Sequence, residues 1–173
     1  MEYITNSDIN KFGSYSDRKN HFDDDQDVTI MINFLTKMYK NQNVSFIEKP
    51  FGIYDVDLGV YIDGTLTVTV DVERWSAWTN DWPSYYKHVS FLGRKEKFLQ
   101  RPTNFLMSYF NFDRTKVLCV DKKSIMKYPT IERHTKGKLD LIKQVGFHEA
   151  RLYGQGLTDR EKTLFKYYCC ELK

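Results

Sequence analysis

Between Gly52 and Trp75 the chain reads GIYDVDLGVYIDGTLTVTVDVERW, two runs of apolar and polar alternation on either side of Asp63-Gly64. A period of two marks half-buried strands, and Asp-Gly between two such runs marks a tight antiparallel turn. On the first run Tyr54, Val56, Leu58, Val60 and Ile62 share one face, and Asp55, Asp57, Gly59 and Tyr61 the other. On the second, Leu66, Val68, Val70 and Val72 alternate with Thr67, Thr69, Asp71 and Glu73. A two-residue loop pairs Ile62 with Thr65 and sets Val56 against Asp71. A three-residue loop, Ile62-Asp63-Gly64, pairs Tyr61 with Thr65, sets Asp55 opposite Asp71 and Asp57 opposite Thr69, and leaves the other face apolar. A slip of one residue turns every side chain over, so the three-residue loop is the expected register.

That register gathers Asp55, Asp57, Asp71 and Glu73 on one face, with threonines and no lysine among them. Like charges so close repel unless something positive sits between them. Hard oxygen donors arriving from two strands suit Mg²⁺, which keeps several of its waters and takes one or two protein carboxylates. The plainer alternative is the solvated polar face of a surface hairpin.

The 173 residues, 41% hydrophobic and 16% aromatic, suffice for one well-packed domain and would make two cramped. No apolar run approaches the ~20 residues that span a bilayer, and MEYITNSDINK lacks the pattern of a secretory signal, so an intracellular, cytoplasmic protein without membrane contact is expected. Cys119, Cys169 and Cys170 contain no Cys-x-x-Cys pair and read as reduced structural thiols rather than a zinc site. Charge is lopsided. Residues 1–73 hold 6 Lys and Arg against 13 Asp and Glu, and residues 74–173 hold 20 against 10. An acidic focus followed by a basic remainder suits a metal-dependent enzyme acting on a polyanion, although charge runs also simply solvate surfaces.

In chain order, residues 1–22 are polar and aperiodic and read as an N-terminal arm, with one domain over 23–173. Asp23, Asp24, Asp25 and Asp27 precede a helical stripe of Val28, Met31, Ile32, Leu35, Met38 and Tyr39, and are expected to complement that helix's N-terminal dipole. Val44–Ile47 is a short strand leading into the hairpin. Trp75, Trp78, Trp82, Tyr85 and Tyr86 form an aromatic loop suited to covering a core edge or, less commonly, to stacking on bases. His88–Leu92 alternates as a strand, and Gly93 opens a basic segment with Arg94, Lys95 and Lys97, placed to reach the acidic face. Asn104–Phe112 and Lys116–Val120 form a second hairpin, and Lys122–Tyr128 a short helix stopped by Pro129. Arg133-His134-Thr135-Lys136-Gly137-Lys138 is a basic loop able to touch phosphates. Thr158-Asp159-Arg160-Glu161 is a capping box, opening a helix that buries Leu164, Phe165 and Tyr168.

Asp57 on one strand and Asp71-Val72-Glu73 on the next resemble the signature of the PD-(D/E)XK nuclease superfamily. There, an acid on one strand and an acid-x-lysine on its neighbour bind Mg²⁺ and ready water for phosphodiester cleavage. Glu73-Arg74-Trp75, Trp82-Pro83 and Arg94-Lys95 also look like the small, phage-associated members, over roughly residues 24–121. The resemblance implies a restriction-endonuclease-like α/β domain, a central mixed sheet of about four to five strands flanked by helices. It departs from the pattern twice. Tyr54-Asp55 and Val56-Asp57 stand where Pro-Asp is usual, so either aspartate is the first ligand, Asp57 being favoured. Glu73 occupies the usual lysine position; some restriction endonucleases of the superfamily use glutamate there, and others draw the lysine from a neighbouring element, for which Lys95 and then Lys97 are the candidates.

The resemblance implies metal-assisted hydrolysis of DNA. Asp57, Asp71 and Glu73, with Asp55 as a further candidate ligand, would hold Mg²⁺ or Mn²⁺, and Lys95 would stabilise charge on the phosphoryl oxygens. Arg74, Arg94, Lys97, Arg133, Lys136 and Lys138 are the candidate nucleic-acid contacts, and a homodimer is an open possibility. The alternative is a non-catalytic domain of the same fold that binds nucleic acid or another protein. No Gly-rich phosphate loop, Gly-x-Ser-x-Gly elbow or His-Glu-x-x-His pair is present.

Overall fold

The computed structural model describes residues 15–173. Helix α1 (Tyr15–Met38) lies on one face of a seven-stranded mixed sheet built from β1 (Val44–Glu48), β2 (Leu58–Ile62), β3 (Thr65–Arg74), β5 (Asn104–Phe110), β6 (Lys116–Asp121), β9 (Arg151–Gly154) and β10 (Lys166–Cys169), in the order β1-β2-β3-β5-β6-β9-β10. On the other face lie β4 (Val89–Leu92), β7 (Thr130–Thr135) and β8 (Lys138–Val145), a separate three-stranded sheet in the order β4-β8-β7. Short helices α2 (Lys122–Ile125) and α3 (Asp159–Leu164) complete a single α/β domain. Among the described residues there are ten strands, seven of them in the large sheet, where a central sheet of about four to five is expected. The basic segment at 133–138 and the chain's end were read as loop and helix but pair as strands.

The large sheet is buried on both faces at its centre, which is why β5 and β6 read as nearly continuous apolar runs, while no residue of the edge strands β1 and β10 is buried. Val117 and Cys119 face α1, together with Leu58, Val60, Val68, Val70 and Val72 and the helix's Met31, Phe34 and Leu35. Phe105, Met107, Tyr109, Leu118 and Val120 face the opposite way, onto Trp78, Trp82, Phe91 and Phe98. The aromatic loop is thus chiefly core: Trp78 and Trp82 are fully buried, while Tyr85 is exposed. Cys119 lies among apolar neighbours, and burial pushes its thiol up to about 12. All three cysteines are free.

The cluster Asp23–Asp27 lies well inside α1 rather than at its start, so it is not an N-cap, and residues 15–22 belong to the helix instead of an arm. The rest of the expected arm, residues 1–14, lies outside the described residues. Asp27 is buried and receives the guanidinium Nε of Arg114 from the β5–β6 turn, an ion pair that anchors the helix to the sheet. A periodicity of apolar residues does not register that kind of attachment. The capping box at Thr158 and Glu161 is formed as expected, but its helix stops at Leu164 and Tyr168 is exposed in β10.

Candidate active site

The hairpin takes a register different from the one expected. Asp63 and Gly64 both have positive φ, 51° and 79°, the conformation of a two-residue I′ turn, and Ile62 pairs with Thr65. A bulge then shifts the ladder between Val60 and Tyr61, so that Val60 pairs with Val68, Gly59 with Thr69 and Leu58 with Val70. Thr67 is the residue passed over; its hydroxyl donates to the Thr65 carbonyl at 2.9 Å. The bulge reconciles two demands, since Asp-Gly favours the two-residue turn while α1 needs Leu58, Val60, Val68 and Val70 on one face. Beyond the first pair, Asp57 stands level with Asp71, and its Oδ2 accepts the Val72 amide at 2.8 Å. The expected pairing of Asp55 with Asp71 is therefore displaced, and β2 begins only at Leu58.

The parallel pairing of β3 with β5 requires a crossover, and that crossover contains the aromatic loop, β4 and the 3-10 helix Gly93–Gln100. It brings Lys95 back over the acidic end of β3. Lys95 Nζ donates to Asp71 Oδ2 and to Glu73 Oε1, each at 2.5 Å. Glu73 Oε2 accepts the indole N–H of Trp75 at 3.1 Å. Gly93 is what lets the segment turn so closely: a Cβ there would stand 2.7 Å from the Leu141 carbonyl oxygen of β8. Phe98 and Leu99 are buried and pin the other end of the short helix to the core.

Asp57, Asp71, Glu73 and Lys95 line an open cleft of about 510 Å³, together with Arg74, Arg94 and Lys97. Arg94 and Lys97 are exposed at its rim; Lys97 Nζ donates to the Tyr54 carbonyl at 3.0 Å. Burial and the neighbouring charge of Asp71 hold the Asp57 carboxyl well above the usual carboxylate range. For Lys95, burial favours the neutral amine, but Asp71 and Glu73 outweigh it and the ammonium is held more firmly than usual. Burial and the same two carboxylates push the Tyr109 phenol well up, and its hydroxyl donates to the Ser90 carbonyl at 2.9 Å.

One ammonium thus faces three carboxylates, and burial first, with the charge of Asp71 second, keeps the proton on Asp57. Among the described residues, no group of three His, Cys, Asp or Glu side chains stands at metal-holding distance. Asp57 and Asp71 do adjoin each other, and Mg²⁺ in general takes one or two protein carboxylates and completes its shell with waters. Glu73 is turned toward Lys95 and Trp75. Asp55 is engaged elsewhere, in a two-pronged pair with Arg101 at 2.7 Å through each nitrogen, with the guanidinium 3.8 Å above the Phe51 ring. Its carboxyl is held below the usual range, first by that hydrogen bond.

Of the other expected contacts, Arg74 sits at the cleft, where its guanidinium donates to the Phe112 carbonyl and lies 5.4 Å over the Phe112 ring. Lys136 and Lys138 are at the tip of the β7–β8 ribbon, and Arg133 is on its stem, beside a second, smaller cavity on which Glu73 also borders. Two participants escape sequence reasoning. Arg101 lies 46 residues from the aspartate it holds, and Trp75 reads as an aromatic of the core although its N–H serves Glu73. Only the closeness of Glu73 and Trp75 in the chain, two residues apart, offered a signal for the second.

In comparison with known proteins, no family model, curated protein or solved structure matches this chain.

Proposed function

We propose that this chain is a metal-dependent nuclease of restriction-endonuclease-like fold that hydrolyses phosphodiester bonds in DNA. The observation that carries the reading is the placement of Lys95: a lysine missing from its usual position on β3 is replaced in space by one from the crossover, within 2.5 Å of both acids of that strand. A solvated acidic face has no need of a mostly buried ammonium at its centre.

Asp57 and Asp71 would hold Mg²⁺ or Mn²⁺, which supplies Lewis acidity toward the phosphate and an activated water. Arg94, Lys97 and Arg74 hold the phosphate backbone over the cleft. Lys95 would answer negative charge growing on the phosphoryl oxygens, and Glu73, held between Lys95 and Trp75, would orient the attacking water. A basic hairpin tip and a cleft rimmed by cations fit a polyanion better than a small anion.

The test is cleavage of plasmid and single-stranded DNA with Mg²⁺ or Mn²⁺, comparing wild type with Asp71→Asn, Glu73→Ala and Lys95→Ala. Metal-dependent cutting is expected in wild type, with each substitution lowering it by about 100-fold or more. Thermal melts of each variant separate lost chemistry from lost fold.

A second reading draws on the same contact. Lys95 already neutralises Asp71 and Glu73, as it would in a domain of this fold that binds DNA without cutting it. That reading requires no cleavage with any metal, DNA binding indifferent to Mg²⁺, and no rise in Tm on adding Mn²⁺.

A further inference from the structure

Glu73 also borders a second cavity, of about 170 Å³, walled by Trp75, Tyr86, His88, Ser90 and Arg133. At roughly 30 Å³ per water it has room for about six waters, enough for one ring system and too little for a base pair. Among the described residues, two buried side-chain polar atoms have no hydrogen-bond partner, and one is Arg133 Nε. The nearest carboxylate to this guanidinium is Asp140, at 4.0 Å from its terminal nitrogen in a half-exposed pair. Its charge also reaches the Tyr86 phenol. The Nε is closed to solvent, but the side chain as a whole is about 39% exposed and lines the cavity, so the terminal nitrogens of its planar fork are the donors that match the oxygens of a phosphate group.

The remaining walls are aromatic. Trp75 is the one tryptophan of the three that is not fully buried. Its ring is held by Tyr109, Tyr86 and Trp82, with centroids 4.2, 5.6 and 5.6 Å away, so it offers a rigid surface. Glu73 borders both cavities, and its carboxylate is answered by Lys95 on one oxygen and by Trp75 on the other. It therefore does not repel an anion as a free carboxylate would.

We propose that this pocket receives a single unpaired nucleotide of the substrate strand, with its base against Trp75 and Tyr86 and its phosphate on Arg133. The inference rests on the nuclease reading for the word substrate, and names what that substrate offers: a frayed end, flap or extruded nucleotide beside the bond that lies in the acidic cleft. A continuous duplex has no nucleotide free to enter.

The experiment titrates the wild-type chain of 173 residues with dAMP, dTMP and inorganic phosphate, in the absence of divalent metal, following tryptophan fluorescence. Saturable quenching by both nucleotides is expected, with phosphate alone at least tenfold weaker. Arg133→Ala and Tyr86→Ala should each weaken dAMP binding at least tenfold, and Arg133→Lys, which keeps the charge and loses the planar fork, should fall between. Equal affinity for phosphate and dAMP, no saturable quenching, or unchanged affinity in a folded Arg133→Ala or Arg133→Lys protein overturns the proposal. The two readings fail separately. DNA cutting without mononucleotide binding removes the pocket alone, while mononucleotide binding through Arg133 without cutting keeps the pocket and removes the hydrolase.

Discussion

Two aspartates two residues apart have opposite electrostatic fates. Asp57 adjoins Asp71 and resists ionisation, whereas Asp55 is bound by both prongs of Arg101 and ionises more readily than usual. A carboxyl whose folded pKa lies below its unfolded value stabilises the fold above the unfolded value, about 3.9, and loses that contribution as pH falls through the folded one. Asp55→Asn should therefore cost about 1 kcal/mol at pH 7, with the difference from wild type closing below about pH 4 in urea melts. The same variant should leave metal-dependent cleavage within about twofold of wild type. A loss comparable to that of Asp71→Asn would instead make Asp55 a ligand.

Among the elements, the β7–β8 ribbon extends furthest from the reading of it as a loop. Lys136-Gly137 forms a two-residue turn, with Lys136 at φ 49° and Gly137 at φ 76°, and Thr135 pairs with Lys138. From Lys138 to Leu141 the strand is exposed at every residue, which a strand lying flat on a core would not be. A two-stranded ribbon of this kind suits a nucleic-acid groove or backbone. Replacing Lys136 and Lys138 together by Ala should weaken DNA binding about equally across sequences. It should also reduce the slope of log K against log salt by up to about 2. A slope unchanged in titrations between low and moderate salt would remove the ribbon from the interface.

At the scale of the whole molecule, the aromatic crossover is tied to the chain's end through one buried carboxylate. Glu161 accepts from Lys116 Nζ at 2.6 Å and from the Trp78 indole N–H at 2.7 Å, and is itself the third helical residue after Thr158, closing the capping box. Both charged partners are buried. Removing one charge leaves the other uncompensated, so Glu161→Gln should destabilise by about 3 kcal/mol or more in urea unfolding. Lys116→Met combined with Glu161→Gln should recover part of that loss, since the stranded ammonium is then gone. Among the described residues no helix is long and apolar enough to cross a membrane.

Local chemistry carried much of this protein in plain view. Alternation and Asp63-Gly64 determined a hairpin with its acids on one face, Thr158 and Glu161 determined a helix start, and Gly93 was read as opening the basic segment that contains Lys95. These features depend on neighbours in the chain, which is why they are legible there. The tertiary structure decided which acid meets which. The bulge at Thr67 exists because the turn and the face packed on α1 ask for different registers, and it moves Asp57, not Asp55, level with Asp71. The crossover between parallel strands decided that Lys95 reaches Asp71 and Glu73, and Arg101 decided the part taken by Asp55. Such pairings join residues 22 to 46 positions apart, and only the folded arrangement of both partners brings their charges into contact.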